Sequence, residues 1–172
     1  MNNSTNRRLL PALILWLGCS TPTEPGTPNS PVSPVTARVN GQLWSATNLR
    51  GDTIGDQFTL PLTFEVGGLD STTSQRTTLR VIIGNLTGTG TYTIAGYFAP
   101  AQGTYAILSP PGDPYINTIP YQTDSTHVGV ITVVSLDTVA HFVAGTFAFQ
   151  ATSGSQTVRV TEGRFRGHFK KY

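Results

Sequence analysis

Three histidines, nine carboxylates and one thiol are the groups in this 172-residue chain with chemistry to offer. His127 and His141, with Asp124 and Asp137, have the residue types of a metal site. Their spacing argues against it. If the chain turns near Asp137 and Thr138, His141 pairs near Val134 and His127 lies about seven residues further along. At about 3.3 Å per residue that is more than roughly 20 Å, whereas zinc ligands sit about 2 Å from the metal. The histidines are therefore expected on the surface at strand ends, with no metal or other cofactor. No serine stands in a G-x-S-x-G elbow, and Cys19 has no second cysteine for C-x-x-C chemistry. The carboxylates are too scattered to nominate a glycosidase pair. Residues 84–90 (GNLTGTG) lack the lysine of a phosphate loop and read as a turn. Asp52 and Asp56 fall short of a calcium motif. No catalytic residue is nominated.

Cys19 has a more specific context. Arg7 and Arg8 precede an apolar run of about ten residues, half the roughly 20 needed to cross a bilayer as a helix, and Gly18-Cys19-Ser20 ends it. A basic start, a short apolar middle and a small-residue end form an export signal. The junction Leu15-Trp16-Leu17-Gly18-Cys19 resembles the lipobox of bacterial lipoproteins. Trp16 stands where that family has leucine, flanked by Leu15 and Leu17. The resemblance implies that Cys19 is diacylated, that residues 1–18 are removed, and that Cys19 becomes the lipid-bearing (palmitate-type) first residue. An exported chain with one cysteine makes no internal disulfide, so a lipid is a consistent use for the thiol. Several acyl chains, each adding about 0.8 kcal/mol per buried CH₂, hold a protein stably on a membrane. The alternative is an ordinary signal peptide with an incidental cysteine. Ser20 lacks the aspartate that retains some lipoproteins at the inner membrane, so the expected address is the outer membrane. Without Arg7 and Arg8 the chain has nine basic and nine acidic residues. That balance disfavours nucleic acid as a partner.

Two other places rise above background. Residues 109–126 read as one long loop with four prolines and with Tyr115 and Tyr121, surfaces suited to a carbohydrate or protein partner. Near the C-terminus, Arg164, Arg166, His168 and Lys170 would share one face of a strand, opposite Phe165 and Phe169. A basic stripe of this kind suits anionic headgroups or a polyanion, or else is a solvated face that blunts a sheet edge.

The elements that would carry these residues are strands. Charged residues make up 12% of the chain, and Gly (18) and Pro (12) are abundant, a profile of short strands and turns. Pro22, Pro25, Pro28, Pro31 and Pro34 recur every third residue, the period of polyproline II, so residues 19–34 read as a stalk of roughly 45 Å. The β domain then spans 35–172. Val35, Ala37 and Val39 alternate into Asn40-Gly41, a hairpin signal, with Trp44 on the return strand. Phe58, Leu60, Leu62, Phe64 and Val66 predict one half-buried strand over 57–66, at an edge or bulged because of Pro61, and ended by Gly67-Gly68. Further strands are predicted over 77–85, 91–95, 103–108, 128–136 and 141–151, and a last one near Phe165 and Phe169. The expectation is an all-β antiparallel sandwich or flattened barrel of about nine or ten strands.

The stretches Ala37-Arg38-Val39-Asn40-Gly41-Gln42-Leu43-Trp44, Gly145-Thr146-Phe147-Ala148-Phe149 and Val158-Arg159-Val160-Thr161-Glu162-Gly163-Arg164-Phe165 resemble an uncharacterised family of bacterial lipoprotein domains. That resemblance implies a lipoprotein with a β-rich fold and supplies no catalytic residue. The functional expectation is a lipid-anchored envelope lipoprotein with a non-catalytic binding or interaction domain. The alternatives are an envelope hydrolase whose active residues are spread over several strands, or a structural and assembly element.

Overall fold

Asn40 and Gly41 both take positive φ (50° and 82°), the two-residue turn whose twist matches antiparallel strands. It joins β1 (Val35–Val39) to β2 (Gln42–Ser45). The computed structural model describes residues 33–47, 54–59, 62–71, 76–96, 100–108 and 119–172. Cys19, Pro22, Pro25, Pro28, Pro31, Asp52 and Tyr115 lie outside them. The chain divides between Pro31 and Val32, and all described residues belong to the second unit.

Every other element among the described residues is also a strand. They are β3 (Gly55–Thr59), β4 (Leu62–Asp70), β5 (Thr77–Gly84), β6 (Gly90–Ala95), β7 (Ala101–Ile107), β8 (Ile119–Gln122), β9 (Gly129–Asp137), β10 (Phe142–Ser153) and β11 (Gln156–Lys171). The all-β expectation holds, with eleven strands rather than nine or ten.

The pairings close on themselves. Running β11–β3–β4–β5–β7–β6–β9–β10 returns to β11. A smaller ring, β7–β6–β9–β10–β8, shares part of that path. All ladders are antiparallel except β3 with β11 and β6 with β7. Two gaps in the wall are each filled differently at their two ends. Between β11 and β4, β3 fills the end near Phe169, and the β1–β2 hairpin fills the other, where the Thr47 amide donates to the Leu69 carbonyl (2.9 Å). Between β7 and β10, β6 and β9 fill one end and β8 the other.

Three sequence expectations are corrected. Residues 57–66 are not one strand. Gly55 pairs with Val66 and Thr59 with Leu62, so they form the hairpin β3–β4 and only Leu60 and Pro61 separate its arms. Alternation persists across a two-residue link and so does not reveal it. Nor does Gly67-Gly68 end the strand. β4 runs through to Asp70, because a side chain at Gly67 would meet the Leu79 carbonyl of β5, and glycine permits that close approach. Residues 109–126 are likewise not one loop, since β8 lies within them and pairs with β7.

Inside, β10 and β11 interlock large and absent side chains. Phe165 sits opposite Gly145 and Phe147 opposite Gly163, and each ring lies over its partner glycine, where a Cβ would collide. Phe147 stacks on both Phe149 and Phe165 with ring centroids 6.3 Å apart. Phe64 meets Phe169 edge-on at 5.5 Å. Leu79, Val81, Ile83, Ile94, Ile131 and Val143 are fully buried beside them. At roughly 1.5–3 kcal/mol for each large apolar side chain removed from water, this interior is the main stabilising contribution.

Candidate interaction face of the barrel

On β11 the inward residues Val158, Val160, Gly163, Phe165 and Phe169 are buried, Thr161 and Gly167 are half-buried, and the other residues between them are exposed. Arg164, Arg166, His168 and Lys170 lie on that outward side, as their spacing predicts. Arg159 joins them against simple alternation, because 159 and 164 are an odd number apart. The cause is a bulge. Phe147 pairs with Gly163 and Phe149 with Val160, so β11 carries one residue more than β10. Glu162 takes φ 52° there, and the extra residue resets the phase of the strand. Five basic side chains thus follow one line.

The neighbouring strands add no acid in the middle of that line. His168 lies opposite Phe142, Arg166 opposite Ala144 and Arg164 opposite Thr146 on β10. Directly opposed residues share a face, so Arg164 belongs to a cross-strand row: Ser45, Thr36, Arg164, Thr146, Thr132 and Thr91. The Thr91 and Thr132 hydroxyls are 3.1 Å apart. The sequence shows these threonines, but only register lines them up.

The cations are held loosely. The Arg166 guanidinium lies 5.7 Å from the Phe142 ring centroid and the Lys170 ammonium 4.8 Å from that of Tyr172. His168 Nδ1 donates to the Ala140 carbonyl (3.1 Å), which fixes its hydrogen on that nitrogen. Four acids among the described residues have partners of their own. Glu65 binds Arg80 at 2.6 Å, an ion pair that raises the arginine pKa, and Glu162 binds Arg38 at 3.1 Å. The Asp137 carboxylate accepts the Ala140 and Val139 amides at 2.8 Å, which hold its pKa below the usual carboxylate value. Asp124 accepts the Thr126 hydroxyl, the His127 ring Nδ1 and both backbone amides, and its pKa falls well below that range. Asp56 of β3 is the register partner of Lys170.

The other candidates separate in space. His127 closes the turn with Asp124, while His141 sits in the 138–141 turn against Phe169 (5.5 Å), so the two flank opposite ends of β9. Among the described residues no three His, Cys, Asp or Glu side chains come together. Tyr121 belongs to β8 and is buried, its hydroxyl donating to Gln156 Oε1 at 2.8 Å and its ring 6.0 Å from Tyr105. It is a packed side chain, not an open contact surface, while Tyr115 lies outside the described residues.

Near Tyr121 sequence reasoning missed a buried polar group. The Trp44 indole donates to Thr77 Oγ1 at 3.0 Å, and Asp70 and Tyr105 lie beside it. Burial raises the Tyr105 pKa, with a hydrogen bond to Thr77 opposing it. A phenol held in that direction stays protonated at neutral pH and offers no base. The chemistry of the cluster is mutual hydrogen bonding between the wall strands.

Comparison with known proteins finds no family model, no curated protein and no solved structure that matches the chain.

Proposed function

We propose that the protein is an envelope lipoprotein of the family its sequence resembles, anchored through lipid on Cys19 and carrying a β domain that binds a partner through its outer wall rather than through an internal pocket. The observation that carries the binding half is the outward line of β11. Five exposed basic residues stand on one strand while Glu65, Glu162, Asp124 and Asp137 are occupied by other partners. The inward positions of the same strand are packed core. A partner for this wall presents anionic groups, on a carbohydrate, a protein or a membrane. The balance of nine basic and nine acidic residues from Cys19 onward still disfavours nucleic acid. The anchoring half is supported by the lone cysteine that follows a basic start and a short apolar run, and Ser20 after it, in place of a retention aspartate, favours the outer membrane.

Mass spectrometry of the native protein tests the anchor. An acylated first residue at Cys19 is expected, and Cys19→Ala should leave the chain unprocessed or release it from membranes. A processed Cys19→Ala chain that still fractionates with membranes would refute it. Arg164→Glu with Arg166→Glu tests the wall. Retention on an immobilised anionic glycan or vesicle should drop at low salt with the melting temperature unchanged, and unchanged retention would remove β11 from the reading.

A further inference from the structure

Positive charge along β11 is interrupted. Between Arg159 and Arg164 stands Glu162, paired with Arg38. Beyond Arg166, His168 lies opposite Phe142, which lies opposite Asp137 on β9, and Lys170 lies opposite Asp56. A dense polyanion laid lengthwise on the strand would therefore meet carboxylates on both sides of Arg164 and Arg166. Across the strands the neighbours differ. Thr36 on β1 and Thr146 on β10 flank Arg164, and Thr132 on β9 follows Thr146. Ala144 and Ser135 follow Arg166 in the same direction. Among the described residues these two rows contain no acid, Arg164 has no carboxylate partner, and the Thr36 and Thr146 hydroxyls make no hydrogen bond. Arg164 and Thr146 are exposed, and Thr36 and Thr132 are half-buried.

We infer that this wall takes a sparsely charged acidic oligosaccharide across the strands, with one carboxylate between Arg164 and Arg166 and neutral sugar hydroxyls on Thr36, Thr146 and Thr132. The inference rests on the reading that the outer wall binds an anionic partner, and it names the class. Guanidiniums grip a carboxylate through paired hydrogen bonds. A threonine hydroxyl both donates and accepts, as a sugar hydroxyl does. With strands about 4.8 Å apart, Thr36 to Thr132 spans roughly 14 Å, a track for an extended chain rather than a pocket. Val134, 62% exposed at the bulge between Thr132 and Ser135, gives ring carbons an apolar contact. The two rows lack the large apolar side chains on which protein interfaces centre. A densely charged surface would press further anions against Glu162 and Asp137.

The test measures binding of the full chain to a hyaluronan octasaccharide, whose carboxylates alternate with neutral sugars, beside neutral dextran, polyglutamate and phosphatidylglycerol vesicles. The octasaccharide should bind tightest. Arg164→Gln with Arg166→Gln should lower its affinity about tenfold or more and erase its advantage over dextran. Thr132→Val with Thr146→Val leaves the charge unchanged. It should weaken octasaccharide binding about fivefold without altering retention on polyglutamate, and Thr132→Ser with Thr146→Ser should bind like the parent. No binding of the octasaccharide, parental affinity in the valine pair, or tighter parental binding to polyglutamate or vesicles would overturn the inference. Unchanged binding of every anionic probe by the Arg164→Gln, Arg166→Gln pair would instead remove the outer-wall reading itself, so the two failures are distinct.

Discussion

The gap between β11 and β4 and the gap between β7 and β10 pose the same problem and are closed by different chemistry. In each, one strand fills one end and two fill the other, with the order reversed, so the wall keeps eight strands across at both levels. The step from one strand to two leaves a place where no ladder continues. At the first gap Ile54 spans it with backbone alone. Its amide donates to the His168 carbonyl (2.9 Å), its carbonyl accepts the Gly67 amide (3.0 Å), and its side chain covers Gly167. At the second gap a side chain does the bridging. Buried Thr123 accepts the Gly103 amide (3.2 Å) on Oγ1 and donates that hydroxyl to the Ala95 carbonyl, while Phe149 covers Gly103. One seam is thus held by main chain and packing, the other by a hydroxyl that satisfies buried polar groups. Each also needs a glycine on the inserted strand, Gly55 or Gly129, where a Cβ would meet a carbonyl oxygen of the neighbouring strand.

The largest expected effects come from those glycines. Gly55→Ala and Gly129→Ala push a methyl into backbone that cannot yield, and each should cost more than about 4 kcal/mol or prevent folding. Chemical denaturation decides this, and a mild loss at either would show that the seam can open without consequence. The covering side chains come next. Ile54→Ala should cost about 2–5 kcal/mol and Phe149→Ala about 3–5. The seams separate at the third prediction. Thr123→Val keeps the shape but strands a buried amide and carbonyl, costing about 1–3 kcal/mol, and Thr123→Ser should recover most of it. If valine were as stable as serine, the second seam would be held by packing like the first. By contrast, Arg164→Gln or Arg166→Gln on the outer wall should stay within about 0.5 kcal/mol of the parent.

The smallest effect is local and pH-dependent. The Asp124 pKa is lowered in the folded protein by hydrogen bonds from Thr126 and His127. Its contribution to the 124–127 turn is therefore complete above the ordinary carboxylate value and is lost as pH falls through the lowered one. In an NMR titration the Asp124 carboxyl should protonate below its ordinary range, and exchange at the Thr126 and His127 amides should quicken only there. A midpoint at the ordinary value would mean that the turn does not hold the carboxylate.

Much of the barrel was legible because its signals are local. Asn40-Gly41 specifies a turn by φ alone, and Leu79, Val81 and Ile83 specify a buried face by alternation. The hairpin inside 57–66 was not legible, since a pattern of period two has no mark where the chain reverses. The basic face was half legible. Arg164 to Lys170 follow from spacing, whereas Arg159 joins them only through the bulge at Glu162, a displacement set by pairing with β10. Tyr121 looked like a loop contact because four prolines surround its segment, yet pairing with β7 draws it into the wall.

The amino-acid order by itself determined the strand-forming composition, the Asn-Gly turn, the alternation of core positions and the lone thiol after an apolar run, each readable within a few residues. Which strands neighbour one another, how β3 and β8 complete gaps between distant partners, and which hydroxyls and cations share a face were decided only by the tertiary structure. Those depend on register between segments as far apart as Val35 and Phe165, and register is fixed by the sum of packing and hydrogen bonds across the closed wall.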